Sequence, residues 1–454
     1  MKPSIDRSSR PSEGKIRPFH LSPVQSARLD NGLQVLSMQR GEVPLVSVCL
    51  ALSAGEAYLP TGQGGLAVLT GDTLQGGTER RSGAALAEAL EGLGTGLRVS
   101  TSWDSTTVAF TCVAERLDAV MALLSEVVCS PALPPEEVAR VRRERLSSIR
   151  QRGMIPRDLA DDELARRVFE SSHPYHRPLA GDERSVTSLD REELVSFAGG
   201  YAPGQGGLVL VGDLSSDQAV NLAEKHFGAW RGVESPRVEI PVGEDGGDRS
   251  ITIVHRPGAV QSELRIGHRS PARGDRSEIP LRVSNLVLGG AFTSRLNLSL
   301  REAHGFTYGV RSAHVFRRDG GAFTIGTAIE TEVTAAALGE ALKVFEMYAD
   351  GGPTTEELSR AREYLAGIFP LRMETTSQLA VALAELVVFK LPADYHHTYR
   401  DRIRAVGADS VRNAVRRHLH PGKSVVVVVG DAERTRDQID ALGLGSVEVA
   451  EPWT

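Results

Sequence analysis

A short pattern occurs twice in this chain and constrains its fold more than any other feature. Residues 201–215 read YAPGQGGLVLVGDLS, and residues 419–433 read LHPGKSVVVVVGDAE. In both copies, Pro-Gly and a short turn lead into an apolar run that ends in Gly-Asp, and a helix-like segment precedes the pattern. Because such self-similarity marks a duplicated structural unit, the chain is predicted to contain two domains of one fold.

The beginnings of the two halves also correspond. Residues 29–55 and 249–270 each alternate apolar and polar side chains across two strand-like runs joined by a turn. A chain of 454 residues is too long for one hydrophobic core, and the stretch between the halves is rich in Pro, Gly and acidic residues, as linkers are. The predicted division is a disordered lead-in over residues 1–22, an N-terminal domain over 23–235, a linker over 236–250 and a C-terminal domain over 251–454.

Each half is predicted to run through a strand pair, a helix, a second strand pair, several helices and a final strand. Val46, Val48, Leu50 and Leu52 recur at period two, which places them on one face of a strand. Strands and helices occur in blocks, without strict alternation. This order indicates an α+β fold in which each domain has a mostly antiparallel sheet with helices packed on it.

Composition and charge exclude several classes of function. The 52 basic and 58 acidic residues give a net charge of -6, which offers no electrostatic footprint for nucleic acid or an anionic membrane. Three cysteines are too few for a disulfide framework. No stretch is long and apolar enough to span a membrane, and the N-terminal segment lacks the apolar region of a signal peptide. The expected compartment is the cytoplasm, with the periplasm as the less favoured alternative.

The stretch GGLAVLTGDTLQGGT, residues 64–78, begins like the first helix of the N-terminal domain but continues poorly. Residues 66–69 are apolar, whereas residues 70–73 are Thr, Gly, Asp and Thr. Gly costs about 1 kcal/mol relative to Ala inside a helix, and Thr and Asp are weak helix formers. This composition suggests that side chains with a specific role have been lost from the helix.

Four segments, in their order along the chain, resemble the pitrilysin and mitochondrial-processing-peptidase family. They are LSAGEAY with the stretch above, HPYHRPLAGDERSVTSLDREEL, YAPGQGGLVLVGDL and GGAFTSRLNLSLREAHGFTYGV, all within roughly residues 25–440. The resemblance implies two homologous domains of the LuxS/MPP-like metallohydrolase fold. Active members are zinc peptidases whose H-x-x-E-H motif lies on the first helix. Its two His residues bind zinc, its Glu is the general base, and a downstream Glu is the third ligand.

In the register of that motif, the ligand and base positions carry other side chains. The two His positions hold Val68 and Asp72, the Glu position holds Gly71, and the third-ligand position falls on or near Gln151. Val and Gly have no donor atoms, Gln is a poor zinc ligand, and one Asp cannot hold a catalytic zinc alone. The resemblance therefore implies that this chain binds no metal and that the zinc belongs to a partner subunit.

A second family motif is intact in the C-terminal half. Residues 281–303 are predicted to form one helix that is ended by Gly305. A strand is expected to begin near residue 306 or 307. This arrangement would place Arg301 in the last helical turn and Tyr308 early in the strand.

The residues alone and the resemblance favour different roles for this pair. On the residues alone, Arg301 would complement the helix dipole and Tyr308 would pack its ring. In the family, an Arg and a Tyr at this spacing contact the substrate and its scissile carbonyl, so the resemblance implies that Arg301 and Tyr308 serve a partner's active site in trans. Gly289 and Gly290 are expected to shape the substrate-binding wall, and a purely structural turn is the alternative.

The resemblance implies a non-catalytic, substrate-orienting subunit of a heterodimeric zinc metallopeptidase, inactive alone, which cleaves peptides in a closed chamber. Its expected partners are a homologous zinc-bearing subunit with H-x-x-E-H and a peptide substrate, with no nucleic acid and no membrane. The alternative is a catalytically inactive peptide-binding or scaffold protein of the same fold. The retained Arg301 and Tyr308 favour the first hypothesis, because a scaffold has no need of both.

Overall fold

The computed structural model describes residues 19–60, 62–232, 240 and 247–452. Residues 1–18 of the predicted lead-in and most of the predicted linker over 236–250 lie outside the described residues. Each half of the chain forms one six-stranded sheet with helices packed on it, which confirms the α+β prediction. Within the described residues, no helix combines the length and the apolar character needed to cross a bilayer.

The N-terminal half contains six strands and eight helices among its described residues. The strands are β1 Gln25–Arg28, β2 Gln34–Gln39, β3 Leu45–Leu52, β4 Arg98–Thr101, β5 Thr106–Val113 and β6 Gly206–Gly212. The helices are α1 Leu66–Thr73, α2 Gly83–Gly92, α3 Leu117–Cys129, α4 Pro135–Met154, α5 Pro156–Val168, α6 Glu183–Ser188, α7 Arg191–Gly199 and α8 Ser216–Phe227.

The C-terminal half also contains six strands and eight α-helices among its described residues. Its strands are β7 Ser250–His255, β8 Gln261–Ser270, β9 Val310–Arg317, β10 Gly320–Glu330, β11 Val425–Gly430 and β12 Ser446–Ala450. Its helices are α9 Glu278–Asn285, α10 Arg295–Asn297, α11 Thr334–Gly351, α12 Thr355–Ile368, α13 Thr376–Val388, α14 Tyr395–Arg404, α15 Ala408–His418 and α16 Ala432–Asp440. Two π-helical turns, Leu286–Gly290 and Leu298–Ala303, follow α9 and α10.

The two sheets have matching strand orders, β1-β2-β6-β3-β5-β4 and β12-β7-β11-β8-β10-β9. Strands β6 and β11, which carry the repeated pattern, both lie third in their sheets. Each has a parallel neighbour on one side and an antiparallel neighbour on the other. The predicted equivalence of these two strands is therefore confirmed. The sheets differ at one edge, where β1 pairs antiparallel with β2 but β12 pairs parallel with β7.

Both faces of the N-terminal sheet are covered, and the two coverings come from different halves of the chain. Val46, Val48, Leu50 and Leu52 of β3 face the core of their own domain, as the period-two pattern predicts. On the other face lies α13, a helix of the C-terminal half. It forms one buried cluster with the sheet, which includes Leu379, Leu383, Leu36, Cys49 and Val209.

The C-terminal sheet receives a helix from the N-terminal half in return. Helix α5 packs on β8 and β11, and its Leu159 and Leu164 join Val427 and Val429 in a buried cluster. Each domain therefore lends one helix to the other domain's sheet. Burial of apolar surface stabilises a folded protein by about 25 cal/mol per Å², so the two buried clusters stabilise the association of the two halves.

The sheet surface under α13 is shaped by a glycine. A Cβ atom at Gly207 of β6 would lie 2.5 Å from Cγ2 and 2.7 Å from Cγ1 of Val387 in α13. These distances are far shorter than a van der Waals contact, so α13 can lie this close to the strand only because the residue is glycine.

We expect Gly207→Ala to lower the free energy of unfolding by about 1–3 kcal/mol, because the added methyl overpacks the contact with α13. Val387→Ala in the same chain should recover part of the loss. Gly153→Ala in α4 is the matched control, since a Cβ there meets no atom within 4 Å. Chemical denaturation measures all three, and a Gly207→Ala protein as stable as the parent would contradict the packing described.

Candidate functional site

A cavity of about 1320 Å³ lies in the C-terminal domain. Its wall is formed by the end of α9 and the segment between α9 and β9, by strands β8, β9 and β10, and by Arg157 and Asp161 of α5. Leu365, Arg372 and Tyr399 complete it. Arg301, Tyr308 and the two glycines at 289 and 290 all line it. The structure therefore brings together all of the residues that the sequence assigned to substrate contacts.

The segment that carries these residues is not the single helix predicted over residues 281–303. The chain widens into a π-helical turn that ends at Gly290, becomes extended at Ala291 and restarts as a helix only at Arg295. Two adjacent glycines are poor helix formers, and the Nδ2 group of Asn297 bonds the carbonyl of Ala291 at 3.1 Å and Oγ of Ser294 at 3.0 Å. These bonds stabilise the break.

Asn297 also fixes the start of β9, and the sequence analysis missed it. Its Nδ2 group donates to the carbonyl of Val310 at 2.9 Å, and its Oδ1 accepts from the amide of Val310 at 3.1 Å. The sequence signal was weak: one Asn between two leucines in SRLNLSL, which the structure shows to be buried. The strand consequently begins at Val310, and the prediction of a start near residue 306 or 307 is wrong. Gly305 does end the preceding turn in a left-handed conformation, with φ of 67°.

Tyr308 lies in the loop between Gly305 and β9, not early in the strand as predicted. The loop backbone is fixed by Thr307, whose Oγ1 donates to the carbonyl of Ala328 at 2.8 Å and accepts from the amide of Gly309 at 3.1 Å. The side chain of Tyr308 is 99% exposed. The phenol therefore projects from a fixed backbone at the cavity.

Arg301 lies in the last turn before the loop, as predicted, but its guanidinium already has contacts. The group stacks 3.5 Å from the centroid of the Phe292 ring, and its Nε donates to Oε1 of Glu302 at 2.9 Å. Its Nη2 is 3.3 Å from the carbonyl oxygen of Phe292. Among the described residues, Nη1 has no hydrogen-bond partner, so two N–H donors remain for a ligand.

The two glycines differ in their local roles. A Cβ at Gly289 would lie 2.5 Å from Oγ and 2.8 Å from the amide nitrogen of Ser312 in β9. Gly289 is therefore needed for the close packing of the π-helical turn on the strand, which favours the structural alternative for this position. Gly290 is exposed at the cavity wall, where a Cβ would be 3.0 Å from the carbonyl oxygen of Asn285.

The positions that the resemblance aligns with the zinc motif lie elsewhere, and none of them lines the cavity. Val68 is buried in α1. A Cβ at Gly71 would overlap Oγ1 of Thr101, which lies in the neighbouring strand β4. The carboxylate of Asp72 forms an ion pair with Arg145 of α4. Within this chain, the cavity lined by Arg301 and Tyr308 is therefore separate from the positions aligned with the zinc motif.

Gln151 lies away from the side of α4 that carries Arg145. It is exposed on α4, six residues beyond Arg145, which at 3.6 residues per turn puts it about 240° around the helix. Ser148, three residues beyond Arg145, is nearer to the face that meets α1. The assignment of the third-ligand position on or near Gln151 stays a prediction, and neither Gln151 nor Ser148 carries a carboxylate.

A zinc ion does not fit the side chains at these positions. The space that a Glu at position 71 would need is taken by Thr101, and the one acidic group, Asp72, is neutralised by an arginine. Within the part of the chain that the structure describes, no three His, Cys, Asp or Glu side chains form a group that could hold a metal ion. Catalytic zinc needs three such ligands.

A buried glutamate holds the start of α1 in place. Glu56, from the LSAGEAY segment, accepts from the amides of Gly65 at 2.5 Å and Ala67 at 3.1 Å, and Arg177 lies 3.8 Å away. Burial raises the pKa of Glu56 to about 8, while Arg177 and the amides act in the opposite direction. Glu56 thus satisfies two of the unpaired amides at the start of α1.

Comparison with known proteins decides the family. The sequence model described as "Insulinase (Peptidase family M16)" matches residues 34–183, and that described as "Peptidase M16 inactive domain" matches residues 188–365. The chain belongs to peptidase family M16. The first match lies within the N-terminal half, and the second runs from the end of α6 in that half to α12 in the C-terminal half.

Similar M16 proteins include both proteases and a non-peptidase. An uncharacterized zinc protease of Mycobacterium tuberculosis is 29% identical over 88% of this chain and 92% of its own length. The non-peptidase homolog YmxG of Helicobacter pylori is 23% identical over 87% and 91%. Among solved structures, a peptidase M16 inactive domain from Pseudomonas fluorescens superposes with a TM-score of 0.84 at 27% identity, over 90% of this chain and 98% of that one.

We expect that restoring the M16 motif with Val68→His, Gly71→Glu and Asp72→His, together with Glu at Ser148 or Gln151, will not give stoichiometric zinc binding. The new Glu side chain meets Thr101, and removing Asp72 leaves the cation of Arg145 beside the new imidazoles. Elemental analysis after dialysis measures the metal content.

A second set of variants tests the cause. Adding Thr101→Ala and Arg145→Ala to the restored motif removes both obstacles, so zinc binding should increase. One tightly held zinc per chain in the first set, with Thr101 and Arg145 intact, would show that the helix and its surroundings have stayed competent.

Proposed function

We propose that this chain is the non-catalytic, substrate-orienting subunit of a heterodimeric zinc metallopeptidase of family M16. In this proposal a homologous subunit with an intact H-x-x-E-H motif supplies the zinc, and this chain supplies Arg301 and Tyr308 across the subunit interface. Alone, the chain is inactive. The observation that carries the proposal is the full exposure of Tyr308 on a fixed loop.

An exposed tyrosine on a rigid loop favours contact with a group outside the chain. Side chains of this size usually bury most of their surface, yet Tyr308 buries almost none. Thr307 and its hydrogen bonds hold the loop backbone, so the phenol is presented in a defined place. Its O–H group is a donor suited to stabilising the negative charge that develops on a peptide carbonyl oxygen.

The contacts of Arg301 support the same role. The stack on Phe292 and the bond to Glu302 hold the guanidinium in one orientation while leaving Nη1 available. A guanidinium held in place loses less conformational entropy when it binds a carbonyl or carboxylate. Arg301 would therefore grip the substrate before the chemical step as well as during it.

The requirement for a partner follows from the first half of the chain. The positions of the zinc motif hold side chains that cannot bind zinc, and Thr101 and Arg145 occupy the surrounding space. A hydrolytic centre that used Arg301 and Tyr308 would thus need its metal from another chain. The relatives named zinc proteases suggest that homologues of this length can carry one.

The second candidate is a peptide-binding or scaffold protein of the same fold, without any role in cleavage. The ion pair of Arg301 with Glu302 favours it, because a guanidinium that already has partners has a structural use. The relative named a non-peptidase homolog is compatible with it as well. The two candidates differ in whether the hydroxyl of Tyr308 affects a rate.

We expect Tyr308→Phe to lower kcat/KM of the reconstituted pair by on the order of 10²–10³, because one donor to the reacting carbonyl is lost. Folding and assembly should be unchanged, since the side chain makes almost no contact within the chain. Arg301→Ala should also raise KM, because substrate binding loses two N–H donors. Steady-state cleavage of a peptide, with assembly checked by gel filtration, measures both.

Tyr364→Phe is the matched control, because Tyr364 is a second exposed tyrosine and does not line the cavity. It should leave the rate unchanged. Parent rates in both the Tyr308→Phe and the Arg301→Ala pairs would favour the scaffold.

A further inference from the structure

The charges around the cavity are not balanced. Six arginines line it, Arg157, Arg265, Arg282, Arg301, Arg311 and Arg372, together with three carboxylates, Asp161, Glu263 and Glu330. His314 also lines it, but burial lowers the pKa of its imidazole to about 3, so the ring is neutral near pH 7. This excess of positive charge contrasts with the net charge of -6 of the whole chain.

Three of the six arginines are already paired. Arg265 contacts Asp161 and Glu263, Arg282 contacts Glu278, and Arg301 contacts Glu302. Arg157, Arg311 and Arg372 are exposed and have no carboxylate partner among the residues that the structure describes. Of the three wall carboxylates, Asp161 and Glu263 pair with Arg265, and Glu330 has no arginine partner among the described residues.

The three unpaired arginines come from different parts of the fold. Arg157 lies near the start of α5, Arg311 is the second residue of β9, and Arg372 belongs to the short 3₁₀ segment Phe369–Met373. Arg311 follows Tyr308 by three residues. Guanidinium groups that face one cavity from separate elements raise its positive potential, and their planar forks match carboxylates.

We propose that the cavity binds an acidic peptide, with Arg157, Arg311 and Arg372 as contacts for its Asp or Glu side chains or its terminal carboxylate. The inference rests on the proposed function in one respect, since it takes the ligand to be a peptide. It adds the class of substrate, which the positions of Arg301 and Tyr308 do not define.

The test uses fluorescein-labelled peptides of one length that carry Glu, Gln or Lys at the same positions. We expect the full chain to bind the Glu peptide on the order of tenfold more tightly than the Gln peptide, since hydrogen bonds to charged groups are about twice as strong as neutral ones. The Lys peptide should bind most weakly. Added salt should reduce the preference, because exposed charges are screened.

Variants assign the preference to the named residues. Arg157→Gln, Arg311→Gln and Arg372→Gln should each weaken binding of the Glu peptide by about fivefold, with a much smaller effect on the Gln peptide. Arg436→Gln is the matched control, because Arg436 is exposed on α16 and lies outside the cavity. Equal affinity for the Glu and Gln peptides, or a preference for Lys, would overturn the inference.

The same peptides, used as competing substrates of the reconstituted pair, separate this inference from the proposed function. Cleavage without a preference for Glu would overturn the acidic-substrate inference alone. A Glu preference in binding, with Tyr308→Phe leaving the cleavage rate unchanged, would overturn the substrate-orienting role alone. If the chain binds none of the peptides and the pair shows no preference for the Glu peptide, the acidic-substrate inference is wrong.

Discussion

The reciprocal packing of α5 and α13 is the interaction on which the rest of the structure depends. Each helix leaves its own half of the chain and covers the open face of the other half's sheet. The central strands β6 and β11 can be almost continuously apolar because both of their faces are buried in this way. The exchange also places Arg157 and Asp161 of α5 in the wall of the C-terminal cavity. The candidate site is therefore built from both halves.

The two domains share a fold but differ in the side chains at the positions that the resemblance singles out. In the N-terminal domain, Glu56 holds the start of the first helix, and the positions aligned with the zinc motif carry Val68, Gly71 and Asp72. In the C-terminal domain, Arg301 and Tyr308 line a large cavity. A chain with this division supports substrate binding better than metal chemistry.

The sequence predicted the fold well where the signal was regular and less well where long-range bonds decide. The repeated apolar run was enough to predict that β6 and β11 are equivalent. The single helix over residues 281–303 was wrong because the two glycines at 289 and 290 and the bonds of Asn297 to Ala291 and Ser294 interrupt it. The start of the strand was wrong because Asn297 also bonds Val310, which the local pattern does not reveal. Leu298, which the apolar pattern would place in the core, is half exposed.

The central claim is that the chemistry is divided between two chains, and one measurement tests it most directly. Peptide cleavage is measured for this chain alone, for a co-encoded homologue with an intact H-x-x-E-H motif alone, and for an equimolar mixture. The account predicts that neither chain alone cleaves the peptide efficiently and that the mixture does. A homologue that cleaves at the same rate with and without this chain would contradict it.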